Sequence, residues 1–154
     1  MISRRVGDSL VDMTEIVLPE DTNARGNIFG GRVLALVDKC AAIVAMRHAR
    51  SEVVTVALDS VEFHSGARAG NILVLAGRLN SAFRSSMEIE VEVHAEDPLA
   101  GSRRLTTRAL VTMVSVGPDG KPAPAPRLDL LTDEERERAA AAERRRSDRL
   151  ARRA

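Results

Sequence analysis

Asp21-Thr22-Asn23-Ala24-Arg25-Gly26-Asn27-Ile28-Phe29-Gly30-Gly31, with the run from Gly31 to His48 behind it, decides the fold. In that run Val33, Leu34, Val37, Ala41, Val44 and Ala45 recur at helical spacing and define a wide apolar face. Ala35, Ala41, Ala42 and Ala45 keep the helix slim, as close packing on a sheet requires. Arg47, His48 and Arg50 complement the negative end of its dipole. The eleven residues ahead of it are polar turn formers that finish in a glycine pair, so a loop leads straight into a long helix.

Outward from this helix the chain reads as strands. Leu10 to Leu18 forms a first strand, closed by Pro19. After the helix come Val53 to Phe63, Asn71 to Phe83, Ser85 to Ala95 and Arg103 to Val116. The third of these alternates Met87, Ile89, Val91, Val93 and Ala95 with Glu88, Glu90, Glu92 and His94, which predicts a strand with one apolar and one polar face. Long strands of this kind indicate an antiparallel sheet, and the class is α+β. One helix cannot cover both faces of a five-stranded sheet, so an edge or face is left for another subunit and a homo-oligomer is expected. Residues 1–9 read as a flexible arm, 10–126 as the folded domain, and 127–154 as a charged Arg/Ala/Glu-rich helical tail. From Thr132 that tail carries eight arginines and six acids with hardly any apolar face, which reads as a solvated helix, with a partner-binding arm as the alternative.

Composition removes several functions. The 154 residues form one domain, and aromatics make up 2% with no Trp or Tyr, so there is no stacking platform for single-stranded nucleic acid. The formal net charge is +1, so no global basic field calls for DNA or an anionic membrane. A single cysteine, Cys40, excludes an intrachain disulfide and a cysteine metal cluster, and reads as a core residue. Met1-Ile2-Ser3-Arg4-Arg5 leads into no apolar run, and Asp38 and Lys39 interrupt the longest apolar segment. Neither a leader peptide nor a membrane span is expected, and a cytoplasmic setting is the default.

The chemistry concentrates at the helix. Phe29, Gly30 and Gly31 occupy the places where a capping side chain would stand, leaving the first amides without an intrachain acceptor. Glycines let a ligand approach the backbone, and the positive end of the dipole faces it. Such a site polarises a carbonyl, unless the pair simply opens an ordinary helix. A phosphate loop is disfavoured, because Gly-Lys-Ser/Thr is missing. Two turns on, Asp38 has Leu34, Ala41 and Ala42 as neighbours, a placement that suits a base or nucleophile, or else an acid paired with Lys39 or Arg47. Asn27 is suited to orient water or carbonyl, or to form the turn. Asp59 is a second candidate acid, on a strand face with Ala57, Val61 and Phe63, or a structural one. His48, His64 and His94 have no Ser or Cys partner at a triad spacing.

The loop 21–31, Val37-Asp38 and Val53-Val54-Thr55-Val56-Ala57-Leu58-Asp59-Ser60-Val61-Glu62-Phe63 together resemble the hot-dog-fold acyl-CoA thioesterases, most closely the bacterial and brain-type cytosolic acyl-CoA hydrolases. The likeness runs from about Val11 to Pro126 and includes Arg84-Ser85-Ser86-Met87. It implies a long central helix wrapped by a curved antiparallel sheet of about five strands, a dimer as the active unit and a trimer of dimers. It implies hydrolysis of acyl-CoA to free acid and CoA, with Asp38 as general base or nucleophile. Asn27 would be a polar partner from the opposing subunit, with Asn23 a further candidate, and the Gly30-Gly31 amides would polarise the thioester. Arg84, Ser85 and Ser86 would contact CoA, which enters as substrate; no metal or other cofactor, nucleic acid or membrane is implied. Gly66 stands where the family usually has Pro, and Asn71 where it usually has Asp; both changes are expected to affect a turn. The rival readings are a non-catalytic acyl-CoA sensor and a hydratase or dehydratase, whose chemistry calls for a histidine in the loop or helix.

Overall fold

The computed structural model describes residues 2–153; Met1 and Ala154 lie outside the described residues. Its elements are β1 (Ser3–Arg5), β2 (Val11–Ile16), α1 (Gly30–Ala49), β3 (Glu52–Phe63), β4 (Ile72–Ala82), β5 (Ser86–Glu96), β6 (Arg103–Val116), β7 (Arg127–Asp129) and α2 (Asp133–Arg153). Five strands form one sheet in the order β2-β4-β5-β6-β3, with every neighbouring pair antiparallel.

α1 lies across the inner face of this sheet. Val33, Leu36, Val37, Cys40, Ala41, Val44 and Ala45 are buried along it. They meet Met87, Ile89, Val91, Val93 and Ala95 of β5, the alternating set read from the sequence, and Val111 and Met113 of β6. Leu34 is only half-buried, because it belongs with Asp38 and Ala42 on the flank of the helix that the sheet does not cover. Burial pushes the Cys40 thiol up to about 11, with the Asp12 charge adding to it, so Cys40 is a core side chain and not a thiolate nucleophile.

Helix and sheet approach each other closely at Gly77 of β4. A Cβ there would stand 2.8 Å from Cys40 Sγ and 2.9 Å from Val44 Cγ2. Overpacking a close-packed interior costs roughly 1–3 kcal/mol. Gly77→Ala is therefore expected to lower the urea midpoint by that order without changing the slope; an unchanged midpoint would show that helix and strand can part freely.

Both ends of the chain depart from the sequence reading. Residues 2–9 are not a loose arm: β1 pairs in parallel with β7, in register from Ser3↔Arg127 to Arg5↔Asp129. Val6 and Ser9, in the helical turn that follows, are buried. The folded unit thus extends past Pro126 on one side and before Leu10 on the other. His48, at the end of α1, is fully buried beneath this added layer, with Nε2 2.8 Å from the Pro126 carbonyl oxygen. Burial pushes its imidazole down, so it packs neutral.

The tail is not solvated on all sides. α2 lies on the outer face of the sheet, where Arg138 pairs with Glu90 and Arg145 holds Glu88 with two hydrogen bonds of 2.6 and 3.0 Å. Arg149 donates to Asp59 at 3.0 Å, and Ala142 is the one described α2 residue that is buried. The polar face of β5 read from the sequence is the counter-charge for an arginine helix with little apolar surface of its own. Glu88 is nearly sealed there and also accepts from Asn80 Nδ2 at 2.9 Å, so the buried carboxylate is fully engaged.

β3 also departs from simple alternation. Its pairing with β6 shifts between Thr55 and Ala57 and again between Leu58 and Ser60, leaving Val56 and Asp59 unpaired as bulges. Each extra residue reverses which face the next side chain takes. Asp59 therefore does not share a face with Val61 and Phe63. It points outward, accepting from Thr112 Oγ1 at 2.7 Å as well as from Arg149.

Candidate active site

The loop before α1 is built by its own polar groups. Gly26, at φ 81°, allows the tight turn in which the Gly26 amide donates to Asn23 O and the Asn23 amide to Asn27 O. Asn23 Oδ1 accepts from the Arg25 and Asn27 amides at 3.0 and 3.2 Å, which leaves its NH2 group on an exposed side chain. Asn27 is half-buried against Gly66, where an added Cβ would meet Asn27 Oδ1 at 3.0 Å. Gly66 therefore makes room for Asn27, a larger part than adjusting a turn. Arg32 fastens the loop to the fold through Asp21 at 3.3 Å and Glu15 at 3.1 Å.

α1 begins without a side-chain cap. The Arg32 and Val33 amides both donate to Phe29 O, at 3.0 and 3.2 Å, while among the described residues the Gly30 and Gly31 amides donate to nothing. Both glycines are exposed. Beside them opens a cleft of about 330 Å³ lined by Ile28, Val33, Phe63, His64, Thr106 and Thr107 among others. Gly30, at the positive end of a 20-residue helix, thus lines an open space with apolar and polar walls.

Asp38 sits eight residues further along, which at 1.5 Å per residue is about 12 Å down the axis. It is half-buried on the uncovered flank of α1. The Thr55 hydroxyl donates to Asp38 Oδ1 at 2.6 Å, and lies 3.4 Å from Met113 Sδ. Neither Lys39 nor Arg47 pairs with Asp38 among the described contacts; Arg47 donates instead to the Leu10 carbonyl. Oδ2 is left for another partner. The sequence reading assigned no role to Thr55, the one hydroxyl in the β-branched run 53–56.

The remaining candidates lie elsewhere. Asp59 is on the far side of the sheet from Asp38, held by structural partners. Arg84, Ser85 and Ser86 form the β4–β5 turn, where the Ser115 amide donates to Ser85 O and the Ala125 amide to Arg84 O. Ser86 pairs with Val114 and Glu52 with Val116, so this turn is at the C-terminal end of α1, opposite Gly30. One subunit therefore brings together only Asp38 and Thr55. The glycine amides, the asparagines and the Arg84 turn stand away from them in the same chain.

β3 is an edge strand, paired on one side only, and Val54, Val56 and Leu58 are exposed along it. Among the described residues no group of three or more His, Cys, Asp or Glu has the geometry to hold a metal ion, and no helix is long and apolar enough to cross a membrane.

A long helix lying in a curved antiparallel sheet, with bare amides at its start and a carboxylate at its middle, defines a hot-dog domain. The family model described as thioesterase superfamily matches residues 25–102. A hexameric acyl-CoA thioesterase, solved in its apo form, shares 45% identity over 100% of this chain and 99% of its own, with a TM-score of 0.94. The acyl-CoA hydrolase of Staphylococcus aureus, solved with butyryl-CoA, CoA and CoA disulfide, shares 33% identity over 98% of this chain and 92% of its own, with a TM-score of 0.90. Structures of that enzyme also exist with an Asn, an Asp and a Thr each replaced by Ala, and the three positions are separated by 15 and 17 residues. Rattus norvegicus cytosolic acyl coenzyme A thioester hydrolase is 35% identical over 86% of this chain but 35% of its own length, so the chain spans about a third of that curated relative. The chain belongs to the thioesterase superfamily and, within it, to the acyl-CoA thioester hydrolases.

Proposed function

We propose that the chain hydrolyses acyl-CoA to a free carboxylic acid and CoA, at a site shared between two subunits. The observation that carries this is Asp38, fastened by Thr55 on the flank of α1 that its own sheet leaves uncovered, with one carboxylate oxygen still to be used. The thioester carbonyl carbon is attacked either by a water whose proton passes to Asp38 or by the carboxylate itself. Electron density moves to the carbonyl oxygen, where the Gly30 and Gly31 amides stabilise it. The C–S bond then breaks, and the CoA sulfur leaves and takes up a proton; where the carboxylate has attacked, water then hydrolyses the mixed anhydride, releasing the free acid and restoring Asp38. Each such amide is worth about 3 kcal/mol when aimed at the developing charge.

The amides come from the partner subunit in this reading. α1 and β3 run antiparallel, so a two-fold axis that pairs the β3 edges lays the partner's α1 antiparallel alongside. An axis crossing α1 near Leu34, about 6 Å from Gly30, brings the partner's Gly30 level with Asp38. Half-buried Leu34 and the exposed Val54, Val56 and Leu58 suit that contact. The same operation carries the partner's Arg84-Ser85-Ser86 turn to the Gly30 end, where those side chains would meet CoA. Asn23, Asp38 and Thr55 stand at the intervals of the three positions replaced in the S. aureus enzyme. That spacing and its free NH2 group favour Asn23 over Asn27 as the polar partner, with Asn27 shaping the loop. The dimer is the active unit, three of them assemble as a hexamer, and the protein acts in the cytosol, supported by the hexameric relative and by the name of the rat enzyme. No cofactor is required, since CoA enters with the substrate.

His64, at the mouth of the cleft beside Gly30, brings in the one rival reaction, hydration of an enoyl-CoA. Free thiol released from saturated acyl-CoAs of short, medium and long chain tests the proposal. Hydration of enoyl-CoA without thiol release would replace it.

A further inference from the structure

The second bulge of β3 is held by side chains from β6 and from α2. Asp59 has no backbone pairing partner in β6, but its side-chain Oδ2 accepts from Thr112 Oγ1 of β6 at 2.7 Å and from Arg149 Nη1 of α2 at 3.0 Å. The Asp59 and Arg149 side chains are 21% and 15% exposed, so the pair is partly desolvated. On its other side β3 is an edge within the chain, met only by the partner subunit in the dimer proposed above. Four residues before Asp59, and just before the first bulge, Thr55 reaches Asp38. The two bulges decide together that Thr55 and Leu58 face inward while Ala57 and Asp59 face outward. A slip of one residue exchanges the faces of all four side chains.

We propose that Arg149 of α2 is a positioning residue for the reaction: by pinning the Asp59 bulge it fixes the β3 register that aims Thr55 at Asp38. α2 keeps its place on the sheet without this contact, because Arg138–Glu90 and the bidentate Arg145–Glu88 pair anchor it independently. The ion pair thus has a local task, and the arginine helix is a brace for the strand that carries the Thr55 hydroxyl. The inference rests on the role given to Asp38 and Thr55 above.

A double-mutant cycle in the full-length assembly tests it. Arg149→Ala is expected to lower kcat roughly tenfold with KM changed less than about twofold, the size of a lost charge-assisted hydrogen bond. Arg149→Lys is expected to recover most of that loss, whereas Arg136→Ala, which removes an arginine bound to Asp133 and to the Leu130 carbonyl at the start of α2, leaves turnover unchanged. In a Thr55→Val background Arg149→Ala should cost less than about twofold more, because both changes act on one contact. Amide exchange at residues 55–60 should quicken roughly tenfold in Arg149→Ala alone. Unchanged exchange at 55–60 would overturn the brace, as would additive losses or full kcat in Arg149→Ala. A silent Thr55→Val would instead refute the role of Thr55 in holding Asp38, and the exchange rates would then decide on the brace by themselves.

Discussion

Asp38→Ala is expected to reduce kcat for acyl-CoA hydrolysis by about three orders of magnitude, the usual scale for removing a positioned base or nucleophile. The variant should keep its fold and assembly, because Asp38 is half-buried on the flank of α1 and its single described contact is the Thr55 hydroxyl. Replacing it removes one partner of one hydrogen bond and leaves no buried charge behind. Thr55 then turns to Met113 Sδ, already 3.4 Å away. KM should change far less than kcat, since the carboxylate meets the substrate at the carbonyl and not along the CoA chain. Thiol-release kinetics and size-exclusion chromatography on the same preparation check both halves. Near-normal turnover from an intact assembly would remove Asp38 from the reaction.

Gly30→Pro is expected to cost roughly 10²–10³ in kcat by deleting one carbonyl-polarising amide. This substitution is unusually clean. Gly30 is the first residue of α1, where proline's fixed φ suits a helix and its missing N–H leaves no intrahelical bond unmade. Phe29 ahead of it already has φ −63° and ψ 137°, the extended conformation a residue before proline adopts. A Cβ at Gly30 meets only Phe63 ring atoms at 3.6 and 3.8 Å, ordinary contact. The loss therefore reports the donor and not a broken helix, which unchanged helical circular dichroism would show. Wild-type kcat in Gly30→Pro would mean that this amide does not face the thioester.

Much of this fold is legible in the sequence because two periodicities declare it. The 3.6 repeat from Val33 to Ala45 and the strict alternation of Met87 to Ala95 each state which side chains meet, and all but Leu34 do. The ends were misread for one reason: β1, β7 and α2 bury little apolar surface, and pattern reading sees only apolar surface. Arg138, Arg145 and Arg149 find Glu90, Glu88 and Asp59 by charge across 48 to 90 residues of sequence, and no local window shows that. The same limit hid the outward turn of Asp59, since a bulge leaves alternation formally intact while changing the face. Thr55 was closer to reach. From Asp38 the helix runs about 16 Å to its end, and five residues of strand at 3.3 Å retrace that distance, so Thr55 returns to the level of Asp38. The distribution of the site over two chains is not written in either one; it follows from geometry, through the separation of Gly30 from Asp38 and the unpaired edge of β3.

That two-subunit site is the claim on which the rest depends, and complementation tests it most directly. Asp38→Asn and Gly30→Pro chains, each inactive alone, are coexpressed with different tags, and their mixed dimers are assayed for thiol release. In a shared site the Asp38→Asn chain lends intact amides to the intact carboxylate of its partner, so one of the two sites in each mixed dimer is wild type. Purified mixed dimers should recover about half of wild-type kcat, and an unfractionated equal mixture about a quarter. Mixed dimers as inactive as their parents would place carboxylate and amides in one subunit and contradict the account.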